Sequence, residues 1–263
     1  MLKKTNKSVP VEKTENNFPL FFNAPAVMDV ERHAKAVIRG DQGYEFAKKT
    51  NSIPLNAAEL MLAAKFYPIV FTGDENPVPC AIVGLEQDNY FVGEKGEWKA
   101  ESYIPSYVRK YPFAFTEFPE QKQLALCIDE GSKHYLANGS AKVGSKLYEA
   151  GKPTKFTQNA LEFCTAFHNH FILTQKFAAA MKEAGLLTQN QSEAQLYTGR
   201  KIHLGGFYVI DQEKFNALSD AKIAELRKNG WLPLVYFCFQ SSSNWKSLVD
   251  MAAKTEKPRK AAK

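Results

Sequence analysis

Short apolar runs separated by turn residues dominate the first half of the chain. A run of this length with a turn signal after it is typical of an antiparallel strand. The pattern therefore predicts an antiparallel β meander between residues 68 and 129. Its predicted strands are PIVF (68–71), CAIVGL (80–85), YFV (90–92), FAFTEF (113–118) and LALCID (124–129).

A helix is predicted immediately before this meander. Asn56 is a suitable N-cap residue, and Glu59, three residues later, completes the capping-box pattern. The apolar residues that follow recur at helical spacing up to Pro68, which cannot continue a helix.

The apolar pattern changes to a helical period in the second half. From Thr157 to about Ala184 it marks one face of a long helix, which Gly185 ends. Because helices follow strands instead of alternating with them, we predict the α+β class, an antiparallel meander with packed helices. The remaining predictions are a strand at FYVID (207–211), one or two short helices over 213–229, a buried strand at LPLVYFCF (232–239) and a helix over 243–254.

Length and composition fit one globular domain with tails. The 263 residues are 44% hydrophobic and 13% aromatic, which excludes a mainly disordered chain. No stretch of about 18 apolar residues is present, so no transmembrane segment is predicted. We expect a flexible arm and irregular lead-in over 1–40, a single domain over 41–253 and a basic disordered tail over 254–263.

The net charge of +6 resides in the two ends of the chain. Residues 1–17 sum to +2 and residues 254–263 to +4, so residues 18–253 are formally neutral. A nucleic-acid-binding domain normally carries a basic face on its folded part. We therefore expect no specific nucleic-acid binding; the tails either only solubilise the protein or attract phosphate weakly and in a salt-sensitive way.

The cysteines and the N-terminal residues favour a cytoplasmic protein. Cys80, Cys127, Cys164 and Cys238 are tens of residues apart without a CxxC pair, and three of them lie in apolar runs typical of buried thiols. The lysines of the first residues are not followed by the apolar segment of a signal peptide. We therefore expect a cytoplasmic protein, or one delivered elsewhere without a cleaved signal. The oligomeric state stays open.

No motif identifies a reaction. HExxH, CxxC, GxSxG, Walker A and GxGxxG patterns are all absent, and the two histidines of HNH (168–170) point to different sides of a helix. Cys164 and His168 are spaced i, i+4, but Cys164 belongs to the apolar face and packing is the favoured interpretation. We predict no metal, no cofactor and no catalytic residue.

Asp129 and Glu130 are candidate ligand-binding acids. They end the LALCID strand, where a carboxylate on a rigid element can be functional, but a strand-ending turn before Gly131 also explains them. Arg109 and Lys110 could bind an anion, or cover apolar surface with their stems while their charges stay in water.

Tyr111, Asn51 and Ser52 complete the candidate set. Tyr111 lies in an aromatic-rich segment (98–113) that forms either a groove or ordinary packing. Residues 51–54 combine polar residues with a proline, and we predict that they pack against residues 103–113. A cavity at which Asn51, Arg109 and Asp129 converge would form the site.

Several blocks of the sequence resemble the SapC family of bacterial proteins. The resemblance covers residues 44 to about 249. Where the family often has a His in the last block, this chain has Cys238 and Phe239, so no role of that His transfers. The blocks are YEFAKKTNSIPLNAAELMLAAKFYPIVF (44–71), PCAIVGLEQDNYFVGEKGEW (79–98), YIPSYVRKYPFAF (103–115), LCIDEGS (126–132), TQKFAAAMKEAGLL (174–187), GFYVID (206–211) and LPLVYFCFQSSSNWKSL (232–248).

The resemblance implies a role but no catalytic residues. The family is named after a locus for surface-layer protein production and export. The leading hypothesis is a soluble, non-enzymatic accessory or binding protein with a protein or peptide partner. The alternatives are a peptide- or protein-modifying enzyme with a pocket around Asp129, Glu130, Arg109 and Tyr111, and nucleic-acid association through the basic tails.

Overall fold

The computed structural model describes residues 18–118, 123–196 and 199–255, whose strands form four antiparallel sheets. The predicted arm over 1–17 and the tail from residue 256 lie outside these ranges. The strands are β1 Pro25–Val27, β2 Val37–Ile38, β3 Ser52–Pro54, β4 Ile69–Thr72, β5 Val78–Ile82, β6 Phe113–Phe118, β7 Gln123–Asp129, β8 Tyr135–Leu136, β9 Ser145–Lys146, β10 Tyr148–Glu149, β11 Lys152–Pro153, β12 Leu187–Gln195 and β13 Lys201–Ile210.

The helices lie mainly in the second half, which confirms the α+β class. No helix of the described ranges is long and apolar enough to cross a membrane. The α-helices are α1 Leu60–Ala63, α2 Ser106–Arg109, α3 Lys155–Glu183, α4 Gln212–Asn216, α5 Asp220–Lys228, α6 Leu232–Ser241 and α7 Trp245–Thr255, with short 3₁₀ turns at Glu45–Ala47, Ala57–Glu59 and Ser242–Asn244.

The largest sheet has five strands in the order β12-β13-β4-β5-β3 and is covered on both faces. Successive side chains of a strand point to opposite faces. Accordingly Phe71 of β4 packs towards Phe177 of α3, while its neighbour Val70 packs with Phe207 and Trp245. The rings of Phe207 and Trp245 are stacked with centroids 5.8 Å apart.

The predicted meander is divided between two sheets. β4 and β5 belong to the five-stranded sheet, but β6 and β7 pair with β1 in a separate sheet of order β1-β7-β6. The run YFV contributes only a single bridge between Val92 and Trp98. A third sheet, of order β8-β2-β9, places β2 in its centre. Residues 25–38, which the sequence placed in an irregular lead-in, therefore supply two strands.

The long helix α3 joins the two sheet regions, and its prediction is confirmed. It is capped by Thr154, whose hydroxyl accepts a hydrogen bond from the Thr157 N–H, and Gly185 follows its end at φ +68°. The 29 residues span about 44 Å. The first turn packs on β6 and the last turns pack on the five-stranded sheet.

The predicted strand over 232–239 is wrong, because this run forms α6. A short continuous apolar run fits a buried strand or a buried helix equally well. The spacing of Val235, Cys238 and Ser241 places one buried residue per helical turn, and Tyr236 between them is 55% exposed. Pro233 lies in the first turn, where its missing N–H does not interrupt the helix.

Candidate functional site

Asp129 ends β7 and is fully buried. Its carboxylate accepts hydrogen bonds from the backbone N–H groups of Asn23 (3.2 Å), Ala24 (2.7 Å) and Gly131 (3.2 Å), and from the Tyr111 hydroxyl (2.9 Å). Both oxygens are thus occupied. These hydrogen bonds attach residues 23 and 24, which precede β1, to the end of β7. Because Asp129 is fully buried, its carboxylate is not accessible to a ligand.

Glu130 fastens the next part of the same segment. It forms an ion pair with Arg32, and its Oε1 lies 3.1 Å from the Nε2 of the fully buried His33. The Nδ1 of His33 lies 2.9 Å from the Asp29 backbone nitrogen and accepts its hydrogen. The same Nδ1 lies 3.0 Å from the Asp29 carbonyl oxygen, and the cluster holds residues 29–33 in place.

Asn51 and Ser52 lie at the outer edge of the five-stranded sheet. The Asn51 carbonyl accepts a hydrogen bond from the Val83 N–H at 2.8 Å, and Ser52 begins the edge strand β3. β3 contacts α2, which confirms the predicted packing of 51–54 against 103–113. The cavity that Arg109 and Tyr111 line does not include Asn51 or Ser52.

Arg109 and Tyr111 line a cavity of about 400 Å³ between α2, the start of β6 and α3, hereafter the α2–α3 cavity. This volume is within the range of small-ligand sites. Of the six candidate residues, the α2–α3 cavity brings together these two. Its other walls include Lys110, Phe113, His134, Phe156, Asn159, Phe163 and Cys164, and none of its lining residues is Asp or Glu.

Glu59 positions α2, and with it the cations of the cavity. This glutamate is 5% exposed, and its carboxylate accepts hydrogen bonds from the Ser106 N–H (2.8 Å), the Ser106 hydroxyl (2.6 Å) and the Tyr103 hydroxyl (2.8 Å). It also accepts from the Asn56 N–H at 2.7 Å, as the capping-box prediction requires. One buried carboxylate therefore joins the start of α1 to the start of α2.

The Arg109 guanidinium is exposed but held in a fixed orientation. Its Nε donates to the Ile104 carbonyl at 3.1 Å and its Nη2 donates to the Tyr103 hydroxyl at 3.1 Å. It lies 5.3 Å from the centroid of the Phe163 ring. Since a guanidinium has five N–H donors, three remain for a ligand.

Lys110 is buried among aromatic rings, with only 7% of its surface exposed. Its Nζ lies 4.3 Å from the ring centroid of Tyr107, 4.8 Å from that of Phe22 and 5.5 Å from that of Phe167. Within the described residues its Nζ has no hydrogen-bond or ion-pair partner, and since no fully buried side-chain nitrogen there is left without a hydrogen bond, the ammonium group keeps a narrow contact with solvent. Burial lowers the pKa of Lys110 to about 8.

The other titratable groups of the α2–α3 cavity are uncharged at neutral pH. Burial raises the pKa of the Cys164 thiol to about 11 and, as the largest effect, also raises that of Tyr111. Burial lowers the pKa of His134, whose Nδ1 lies 3.2 Å from the Arg39 carbonyl oxygen. The cavity is therefore cationic, with aromatic walls and no anionic group, which suits an anion attached to an apolar body.

A larger groove, of about 550 Å³, lies between β13, α6 and α7. Its walls are mainly apolar, and its charged residues, Glu193 and Lys246, are exposed and form ion pairs with Lys201 and Asp250. Because its lining residues include no buried charge, the α2–α3 cavity is the better candidate site. Across the described residues, no group of three or more His, Cys, Asp or Glu side chains could hold a metal ion.

The SapC family model matches residues 28–248. The chain belongs to the SapC family. The match begins just after β1 and includes β2 and every residue that lines the α2–α3 cavity, so the cavity lies inside the SapC domain. Neither a curated protein nor a solved structure matches the chain significantly.

The sequence suggested an anion-binding role for Lys110 but not its burial. Its aromatic surroundings come from Phe22 and Phe167, which are distant from it in the sequence, and no local pattern joins them. The available signal was the pair of cations directly beside Tyr111 in an aromatic-rich segment (98–113) whose acid, Glu101, lies eight residues before Arg109.

Proposed function

We propose that this SapC-family protein is a cytoplasmic, non-enzymatic accessory protein that binds a protein or peptide partner during the production or export of surface-layer or other envelope proteins. Family membership supports the class of process that the family's name denotes. The observation that carries the binding role is the α2–α3 cavity, which has aromatic walls and two cations.

The placement of the acids favours binding over catalysis. Asp129 and Glu130 are the acids that a modifying enzyme would use here, and both are occupied in holding residues 23–33. The raised pKa of Cys164 keeps this thiol protonated and weakly nucleophilic at neutral pH. No carboxylate lines the α2–α3 cavity, and the one imidazole in its wall, that of His134, has its Nδ1 3.2 Å from the Arg39 carbonyl oxygen.

Site-specific photo-crosslinking in cells of the source bacterium tests the proposal. A photoreactive amino acid replaces Asn159, which is exposed and lines the cavity. The matched control replaces Leu161, which is exposed at 45% and lies two residues further along α3, about 200° around the helix. We expect position 159, but not position 161, to capture an exported or surface-layer protein.

Equal capture at both positions would contradict a role of the cavity in partner binding. Capture only of nucleic acid, or only of cytoplasmic proteins unrelated to export, would refute the proposed function. In either case the cavity would have to be assigned to another kind of ligand.

A further inference from the structure

The α2–α3 cavity contains two positive charges that no acid of its walls neutralises. Arg109 is at its mouth and exposed, while Lys110 is in its wall and buried. A buried charge normally has a partner, because removing it from water is costly. Around Lys110 the groups that stabilise the positive charge are the faces of three aromatic rings.

These rings favour the charged amine over the neutral one, since the face of an aromatic ring is electronegative. With a pKa of about 8, roughly nine-tenths of Lys110 is protonated at pH 7. The protonated form therefore predominates, and in this form the group acts as a counter-charge. A cationic wall of this kind attracts an anion.

The remaining walls define the body of the ligand. The rings of Phe113, Phe156 and Phe163 present apolar surface, and Arg109 keeps unused N–H donors beside them. A guanidinium matches the geometry of a carboxylate. The cavity volume of about 400 Å³ accommodates one side chain with its terminal group.

We propose that the α2–α3 cavity binds the free C-terminal carboxylate of a peptide or protein whose last residue is aromatic or aliphatic. Arg109 contacts the carboxylate, Lys110 supplies the buried counter-charge, and the rings hold the side chain. This inference rests on the proposed function and names the part of the partner that the cavity recognises.

The test is calorimetric titration of the full chain with N-acetyl-phenylalanine and with its uncharged amide. We expect the acid to bind at least tenfold more tightly than the amide at pH 7. Arg109→Gln and Lys110→Met should each weaken binding of the acid about tenfold. The matched control is Lys246→Met, which removes an 80%-exposed charge on α7 and should leave the affinity unchanged.

The pH dependence separates a counter-charge from a merely structural lysine. Between pH 7 and 9 the affinity should fall about fivefold, because Lys110 loses its proton and the neutral form binds about tenfold more weakly. Cys164, Tyr107 and Tyr111 face this region with raised pKa values, and the pKa of His134 is lowered, so none of them titrates in this interval. The always-charged Arg109 is also constant, and Lys110→Met should abolish the dependence.

Equal binding of acid and amide, tighter binding of phenyl phosphate than of the acid, or unchanged pH dependence in Lys110→Met would overturn the inference. Circular dichroism shows whether the variants fold, and Arg109→Gln keeps the test decisive if Lys110→Met does not. If the acid fails to bind while position 159 still captures an envelope protein, this inference fails and the proposed function stands.

Discussion

Asp129→Asn replaces one carboxylate oxygen by an NH₂ group at a fully buried site. In the wild type, Oδ1 accepts from the Ala24 and Gly131 N–H groups, Oδ2 accepts from the Tyr111 hydroxyl, and the Asn23 N–H lies 3.2 Å from both oxygens. The asparagine oxygen can keep the first pair. Its NH₂ group then faces the Asn23 N–H, which can only donate, and the Tyr111 hydroxyl, which has to change from donor to acceptor, and the negative charge that strengthened every bond is lost.

The expected cost follows from these contacts. A hydrogen bond to a charged group contributes about 1.5–3 kcal/mol, and a buried donor left without an acceptor costs about 1–3 kcal/mol. With two bonds weakened and one or two lost, we expect Asp129→Asn to lower the free energy of unfolding by about 3 kcal/mol. This is a large part of the roughly 5–15 kcal/mol that stabilises a typical domain.

Urea unfolding followed by tryptophan fluorescence measures the effect. Limited trypsin digestion at Arg32 locates it, because the variant should release the segment that Asp129 holds. The matched control is Asp41→Asn, whose carboxylate is exposed and pairs with Arg39 two residues away, and whose midpoint should equal the wild type. An unchanged midpoint in Asp129→Asn would refute the anchoring role of this carboxylate.

Three further predictions concern Lys110, the thiols and the tail. Folding lowers the pKa of Lys110 from 10.5 to about 8, so the charged amine destabilises the folded protein fully below pH 8 and not at all above pH 10.5. Lys110→Met should therefore raise the free energy of unfolding by about 3 kcal/mol at pH 7. Urea titrations should show this gain shrinking as the pH rises from 8 to 10.5. All four buried cysteines should be reduced, and an intramolecular disulfide found by mass spectrometry would contradict this prediction. Burial raises the pKa of Cys238 to about 12, so mass spectrometry should find this thiol unmodified by iodoacetamide at pH 8 until urea is added. Deleting residues 254–263 should leave the unfolding midpoint unchanged and reduce weak binding to DNA or anionic vesicles at low salt. Sequence-dependent binding by the truncated chain at about 150 mM salt would instead favour the nucleic-acid alternative.

The sequence predicted those elements whose signal is local. The helix α3 has a sustained apolar face and a terminal glycine, and FAFTEF coincides with β6 because its turn residues bound it. The error at α6 arises where eight consecutive apolar residues contain no readable period. β1 and β2, with three and two residues, are too short to show any alternation.

The candidate site was predicted less completely, for a different reason. Burial of a charge depends on which segments surround it, and the neighbours of Lys110 come from residues 22, 107 and 167. Arg109 and Tyr111 were found because they share one short segment. Asp129 was recognised as a carboxylate at the end of a strand, but its donors at residues 23 and 24 precede it by more than 100 positions.

That same separation has a consequence for synthesis on the ribosome. The loop before β1 and the strand itself leave the ribosome about 100 residues before β7 and Asp129. At about 5–20 residues per second, the apolar segment around Phe21 and Phe22 waits roughly 5–20 s for its partners. During this interval it offers nascent-chain chaperones an exposed aromatic site. The segment around β1 therefore emerges well before the strand that fixes its final position.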